Sequence, residues 1–317
     1  MCVFAPAPLL TVTIESRHPD DELADEKGDT SDDGGELHLH VGGQGYWVAR
    51  MLVVLGADVV LCATFGGETG AVARGLLEGE DLVVRVVEVD SANGAYVHDR
   101  RTGERQPVAT TPSGRLSRHH IDDLFGVTLV EGLEAELCVL GGPDAQRVLP
   151  ADTYRRLAAD LSANGRRVVV DLSGDRLDAA LEGGVTFAKV SHEELLHDGR
   201  ARDDDVGSLV EAMRRLAGDG AGGVAVTRAE HPALALVGDR VVEIVGPAIV
   251  PADPKGAGDS FTAGLSAALA WGLDVEAALR IAVAAGSLNV SRHGLGSGNR
   301  EHIVRLAEHV ELRPVHP

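Results

Sequence analysis

Lysine is scarce in this 317-residue chain, which has only Lys27, Lys189 and Lys255. Lys and Arg together number 29 against 49 Asp and Glu, a formal net charge of −20. A field of that sign repels polyanions, which excludes nucleic acid and anionic membrane surfaces as partner classes. Cysteine is scarce too, and Cys2, Cys62 and Cys138 fit neither a disulfide framework nor a CxxC metal site. Long apolar runs are missing. The stretch around Met51 to Leu61 is broken by Gly56 and Asp58, well short of the roughly 18 residues that a membrane span needs. The N-terminus has no basic region ahead of an apolar run, so the expected compartment is a reducing cytoplasm. What remains is an ordinary globular composition, 44% hydrophobic and 25% charged, with length for one large α/β domain or two smaller ones.

Short β-type runs alternate with helical patterns, the sequence mark of a mainly parallel sheet covered by helices on both faces. Candidate strands are 9–16, 58–65, 136–140, 167–172, 185–190 and 223–227, several of them near-continuous Val, Leu and Ala as buried strands require. Candidate helices are 45–55, 69–78, 151–163, 206–217, 260–271 and 275–288, each with apolar residues at helical spacing. Residues 36–41, 82–90 and 94–108 break the rhythm by alternating polar with apolar, and they predict a small antiparallel sheet projecting from the main one. Ten acids lie between Glu15 and Glu36 inclusive, with almost no apolar residues among them, which predicts a mobile or solvated loop. No repeat and no linker divides the chain, so residues 1–317 read as one domain.

The most informative segment is Asp253-Pro254-Lys255-Gly256-Ala257-Gly258-Asp259-Ser260-Phe261-Thr262-Ala263-Gly264, a loop running into an amphipathic helix. Small residues let backbone N–H groups approach an anion, and the helix N-terminus adds positive potential. Asp259, on the first turn, is either an N-cap or a general base for an attacking hydroxyl. The segment is not a P-loop, because none of the three lysines follows a glycine, nor a dinucleotide fingerprint, because Phe261 stands at the third glycine.

Together with Gly42-Gly43-Gln44-Gly45-Tyr46-Trp47-Val48-Ala49-Arg50 and Phe65-Gly66-Gly67-Glu68-Thr69-Gly70, this segment resembles the signatures of the PfkB/ribokinase family of ATP-dependent carbohydrate kinases. The GG-x-TG element and Asp171-Leu172-Ser173-Gly174 look most like the branch containing 1-phosphofructokinase and tagatose-6-phosphate kinase. The resemblance implies a ribokinase-like α/β fold with an antiparallel lid, formed by about 17–41 and 82–109. It implies ATP and Mg2+ as cofactors and a small-molecule sugar as partner, and it leaves room for a homodimer. Asp259 is then the base, and the backbone of Gly256, Ala257 and Gly258 is the anion hole. Lys189, Ser191, Thr227, Lys255, Ala285 and Asn289 fall at nucleotide positions, Glu194 at a water-mediated Mg2+ position, and Asp20, Gly42, Gly43, Gln44 and Trp47 at acceptor positions. Taken singly, Glu194 also reads as a first-turn helix acid, Trp47 as a packed core residue, and Ala285 as a small residue in a close helix contact.

Several positions depart from the family pattern. Val190 and Ser191 replace Pro and Asn of Lys-Pro-Asn-x-x-Glu, and Thr227-Arg228-Ala229-Glu230-His231-Pro232 lacks both glycines of Ser/Thr-x-Gly-x-x-Gly. Gln44 and Trp47 replace a Lys and an Asn, residues 92–96 lack a lid Arg, and Pro19 stands where a sugar-binding Asp belongs, with Asp20 one place late. These losses predict a neutral sugar or nucleoside as acceptor, unless Arg100, Arg101 or Arg105 swings over the cleft. They also leave open a weakened, binding-only member of the fold. His38 and His40 share one strand face and read as lid residues, or with nearby acids as metal ligands.

Overall fold

The computed structural model describes residues 1–16, 35–292 and 296–315. The acidic run from 17 to 34, Asp20 included, lies outside the described residues. In chain order the elements are β1 (Cys2–Ala5), β2 (Leu9–Ser16), β3 (Gly35–Gly42), α1 (Gln44–Val54), β4 (Val60–Phe65), α2 (Gly67–Leu76), β5 (Val83–Glu88), β6 (Ala95–Asp99) and β7 (Gln106–Thr111). There follow α3 (Arg118–Glu134), β8 (Leu137–Gly141), α4 (Asp152–Ala163), β9 (Arg167–Asp171), α5 (Gly174–Gly183), β10 (Phe187–Ser191), α6 (His192–His197) and α7 (Val206–Gly218). The chain ends with β11 (Gly223–Arg228), β12 (His231–Val237), β13 (Arg240–Val245), α8 (Ala257–Ala270), α9 (Val275–Val290), α10 (Arg300–Ala307) and β14 (Glu311–Pro314).

The main sheet runs β14-β13-β12-β11-β10-β9-β8-β1-β4-β5. From β5 to β11 every pairing is parallel, and the last three strands are added antiparallel. Strand residues alternate between two cores. Val3, Ala5, Leu61, Ala63, Leu137 and Val139 face α1, α2, α8, α9 and α10, whereas Cys2, Phe4, Cys62, Cys138, Leu140 and Val170 face α3, α4, α5 and α7. Helices on both sides explain the near-continuous apolar strands. The three cysteines are buried on the second face, as small core residues. Close packing of α8 on α9 depends on Gly264, where a Cβ would stand 2.9 Å from Ala282 Cα.

The lid is a second sheet, ordered β3-β2-β6-β7. Two sequence expectations are corrected here. Residues 9–16 form one of the two inner strands of the lid rather than a strand of the main sheet; the first main-sheet strand is Cys2–Ala5, too short for its four apolar residues to show a period. Residues 82–90 do not belong to the lid, because β5 pairs parallel with β4, Val60 opposite Val83, at the edge of the main sheet. Its alternation reflects one covered and one solvated face, which an edge strand shares with a lid strand. No helix among the described residues is long and apolar enough to cross a membrane.

Candidate active site

The parallel strands present polar residues at their carboxyl ends, where open α/β sheets bind ligands beside a reversal of strand order, here at β1 and β8. β9 ends on Asp171, β10 on Lys189-Val190-Ser191 and β11 on Thr227-Arg228. α8 begins at the same edge. Its N-cap, Gly256, is left-handed at φ 74°, a conformation glycine adopts without steric cost, and no side chain caps the helix. The first-turn N–H groups are therefore left to water or to an anionic ligand.

Beneath this turn lies a buried cluster. Lys189 donates to Asp171 Oδ1 at 3.0 Å, and Thr262 Oγ1 donates to Asp171 Oδ2 at 2.7 Å. A Cβ on Gly258 would stand 2.8 Å from Lys189 Nζ, which places the ammonium directly under the loop. Burial works to discharge Lys189, but Asp171, Glu194 and Asp259 together hold it protonated, with its pKa raised. Burial also pushes the Asp171 carboxyl up against the pull of Lys189. Asp259 is raised to about 7 by burial first, then by Asp171 and Glu194, with Lys189 opposing. A carboxylate poised near neutrality on an uncapped helix start can take a proton from a hydroxyl while the N–H groups hold the group it attacks.

The nucleotide positions divide into two groups. Ser191 and Thr227 stand opposite each other in the β10–β11 register, at the strand ends beside Lys189. Lys255 is exposed, and its backbone is fixed on both sides: Asp253 Oδ1 accepts its N–H at 3.0 Å, and its C=O accepts from Asn289 Nδ2 at 2.7 Å. Asn289 is buried, and its Oδ1 takes the Gly296 N–H, so it organises the loop from behind. Ala285 is fully buried, its Cβ 3.0 Å from the Cβ position of Gly264. It serves the α8–α9 contact, which corrects its expected place at the nucleotide. Ser191 and Glu194 form a capping box on α6: Glu194 Oε2 accepts the Ser191 N–H at 2.7 Å and its hydroxyl at 2.8 Å. Ala229 has φ 48°, the one positive φ outside glycine among the described residues. The loop thus keeps a glycine-like backbone at the first missing glycine.

On the acceptor side, residues Ala7, Pro8 and Leu9 follow β1 and pack against Gly43, whose Cβ position is 3.6 Å from Leu9 N and Pro8 Cα. The expected acid after strand one is absent from this place, since that strand is β1 and its sequel carries no carboxylate. Gln44 Oε1 accepts the Gly142 N–H at 3.0 Å, tying α1 to the loop after β8. Gly42 abuts Thr11 of the lid, and a Cβ there would meet Thr11 Oγ1. Trp47 is 7% exposed and carries the Arg50 guanidinium 5.9 Å over its ring.

Between lid and body lies a cavity of about 560 Å3 lined by Trp47, Arg50, Tyr96, Arg100, Arg105 and His40, among others. Residues 92–96 supply no arginine, but the hairpin beyond them brings Arg100 and Arg105 to the cavity, the alternative that the sequence left open. Arg105 donates to Asp253 Oδ2 at 3.1 Å, and Arg100 stands 3.5 Å from the same oxygen. Under the hairpin, Thr13 Oγ1 joins His40 Nε2 at 2.9 Å and His98 Nε2 at 3.1 Å. Burial and the neighbouring arginines hold both imidazoles neutral, His98 down to about 4. No group of three or more His, Cys, Asp or Glu disposed to hold a metal occurs among the described residues, so the metal reading of His38 and His40 gains nothing.

Arg50, Asp171 and Asp253 stand in the quoted motifs with no role assigned to them, and the joining of Arg100 and Arg105 to Asp253 was not expected. Asp171 carried a signal of its own, a charge ending the buried run 167–172, which demands a partner. The contact of Arg100 and Arg105 with Asp253 carried none, because only the lid's folding brings residues 100 and 105 against residue 253.

Comparison with known proteins gives a family model, "pfkB family carbohydrate kinase", matching residues 11–302. The chain is 29% identical over 290 residues to 1-phosphofructokinase of Rhodobacter capsulatus, covering 88% of this chain and 89% of that protein. It is 28% identical over 263 residues to ATP-dependent 6-phosphofructokinase isozyme 2 of Escherichia coli strain K12, covering 80% and 82%. Among solved structures, phosphofructokinase-2 from Escherichia coli in complex with potassium superimposes with a TM-score of 0.80 at 23% identity, over 97% of this chain and 98% of that one.

Proposed function

The chain belongs to the pfkB family of carbohydrate kinases, enzymes that phosphorylate a sugar with ATP, and from that premise we propose that its acceptor is a sugar phosphate. Asp259 takes the proton of the attacking hydroxyl, the new O–P bond forms to the γ-phosphorus, and the bond to the leaving ADP oxygen breaks. The N–H groups of Ala257, Gly258 and Asp259 receive charge on the transferred group, with Lys189 beneath them. Lys255 faces the nucleotide phosphates from the exposed loop. Glu194 keeps Oε1 without a protein partner among the described residues. One such oxygen suits Mg2+, which binds through few carboxylates, the triphosphate and water. When bound, the ion neutralises triphosphate charge.

One observation carries the choice of acceptor: three guanidinium groups, from Arg50, Arg100 and Arg105, line the cavity roofed by the lid. A neutral sugar would leave them underused, whereas a phosphate dianion accepts charge-assisted bonds from each. Away from the guanidinium groups, Leu9 of the lid and Trp47 of the body offer a sugar little but apolar surface, so recognition shifts from hydroxyls to the phosphate. Specificity constants for matched phosphorylated and unphosphorylated sugars test this. The phosphorylated partner should be preferred, and Arg50→Gln should remove ~10–100-fold of that preference, since a contact to a charged group contributes roughly 1.5–3 kcal/mol. Preference for the neutral sugars would overturn it. A homodimer belongs to the same reading; Leu37 and Leu39 on the lid, 63% and 44% exposed, support it, and sedimentation tests it.

A further inference from the structure

Two cations of the lid converge on one carboxylate of the body. Arg105 Nη2 and Arg100 Nη1 approach Asp253 Oδ2 at 3.1 and 3.5 Å, and the Asp253 side chain is only 8% exposed. Its other oxygen accepts the N–H of Lys255, the residue before the left-handed Gly256. One acid therefore joins the lid hairpin to the loop that forms the anion hole. Glu15, 3.7 Å from Arg100, is the other acid at the pair, but it belongs to β2 of the lid and cannot tie lid to body. Arg105 also keeps a buried Nε without any partner. Among its five donors, then, at least one is available to an acceptor that Asp253 cannot serve.

We propose that Asp253 is a built-in counter-anion: it occupies Arg100 and Arg105 while the cleft is empty and yields them to the phosphate of the acceptor. This rests on the reading that the acceptor is phosphorylated. The physical reason is competition. Two guanidinium groups crowded under a lid repel each other unless an anion lies between them, and Asp253 supplies it in the free protein. An incoming dianion brings more charge and more acceptor oxygens to the same donors, including the unused Nε. Asp253 can release Oδ2 while Oδ1 keeps its hold on the Lys255 N–H, so the anion hole stays in place as the lid changes partner. Asp253 is thus a positioning residue that sets acceptor affinity and holds the empty lid down.

The test is Asp253→Asn, which keeps an oxygen for Lys255 and removes the charge. In the ligand-free protein, amide exchange across 95–99 and 106–111 should become about 10-fold faster, because the lid loses its tie to the body. KM for a sugar phosphate should fall several-fold, because the acceptor no longer competes with a resident carboxylate, whereas a purely structural aspartate would raise it. Where Asp253→Asn folds, the double variant with Arg105→Gln must exchange no faster than the faster single one; should it fold poorly, Arg105→Gln alone must accelerate the same amides. Unchanged exchange, additive exchange or a raised KM each overturns the proposal. Faster exchange in a protein that prefers unphosphorylated sugars overturns the phosphosugar reading instead, since exchange is read without any acceptor.

Discussion

The ammonium of Lys189 stands 3.0 Å from Asp171 Oδ1 and 2.8 Å from the point a Cβ on Gly258 would occupy. One buried cation therefore neutralises the acid that ends β9 and supports the anion-hole loop from below. A chain with few lysines has put one where three carboxylates, those of Asp171, Glu194 and Asp259, share its field.

Lys189→Met should be costly in two ways. Asp171, fully buried, would lose its counter-ion, and breaking a buried pair from one side costs about 3–5 kcal/mol. Because burial already favours a protonated Asp171, the loss should shrink in acid, where the orphaned carboxyl takes a proton. Urea unfolding at neutral and acid pH checks this; a loss of equal size at both would show that the charge on Asp171 is not the cause. Turnover should fall by at least ~10²-fold as the loop loses its support.

Asp259→Asn sets activity against stability. The folded-state value of Asp259, about 7, lies above that of an unfolded aspartate. The folded protein therefore holds an extra proton between about pH 4 and 7, and stability falls as pH rises through that window. Asparagine carries no such charge. The variant should match the parent below about pH 4 and exceed it in stability near pH 8.5, while losing at least ~10²-fold in turnover. In the parent, kcat/KM should climb with pH through about 7 as the base deprotonates. A flat pH profile, or a variant turning over at the parent rate, would remove Asp259 from the role of base.

How much of this was legible beforehand follows from how far apart the participants lie in sequence. Gly256 to Asp259 form one contiguous motif whose backbone function needs only small residues at a helix start, and the structure places it as expected. Lys189 and Ser191 were legible because a strand end precedes them. The Arg105–Asp253 contact spans 148 residues and two sheets, and no local period encodes it. The lid bounds failed for a related reason: an edge strand and a lid strand both alternate, and only the pairing of Val83 with Val60 tells them apart.

Ala229 offers a stability test in the nucleotide loop. An L-residue at positive φ is strained by roughly 1–2 kcal/mol relative to glycine, partly offset by the greater freedom glycine has when unfolded. Ala229→Gly should therefore stabilise the protein by up to ~1 kcal/mol. A denaturation midpoint that drops on this substitution would show that the φ of 48° is held without strain.

Glu194 separates a structural from a functional role in a single substitution. Its Oε2 takes the Ser191 N–H and hydroxyl in the capping box, a motif that glutamine at the same position also satisfies. Glu194→Gln should thus leave the unfolding midpoint nearly unchanged. If Glu194 serves Mg2+ as proposed, the charge would be gone, and the Mg2+ concentration giving half-maximal turnover should rise about 10-fold. Chelator should abolish turnover in parent and variant alike, since no basic cluster here replaces the ion. If the variant instead unfolds readily yet keeps the parent's Mg2+ requirement, Glu194 is a helix cap and nothing more, and the metal must rest on the nucleotide and water alone.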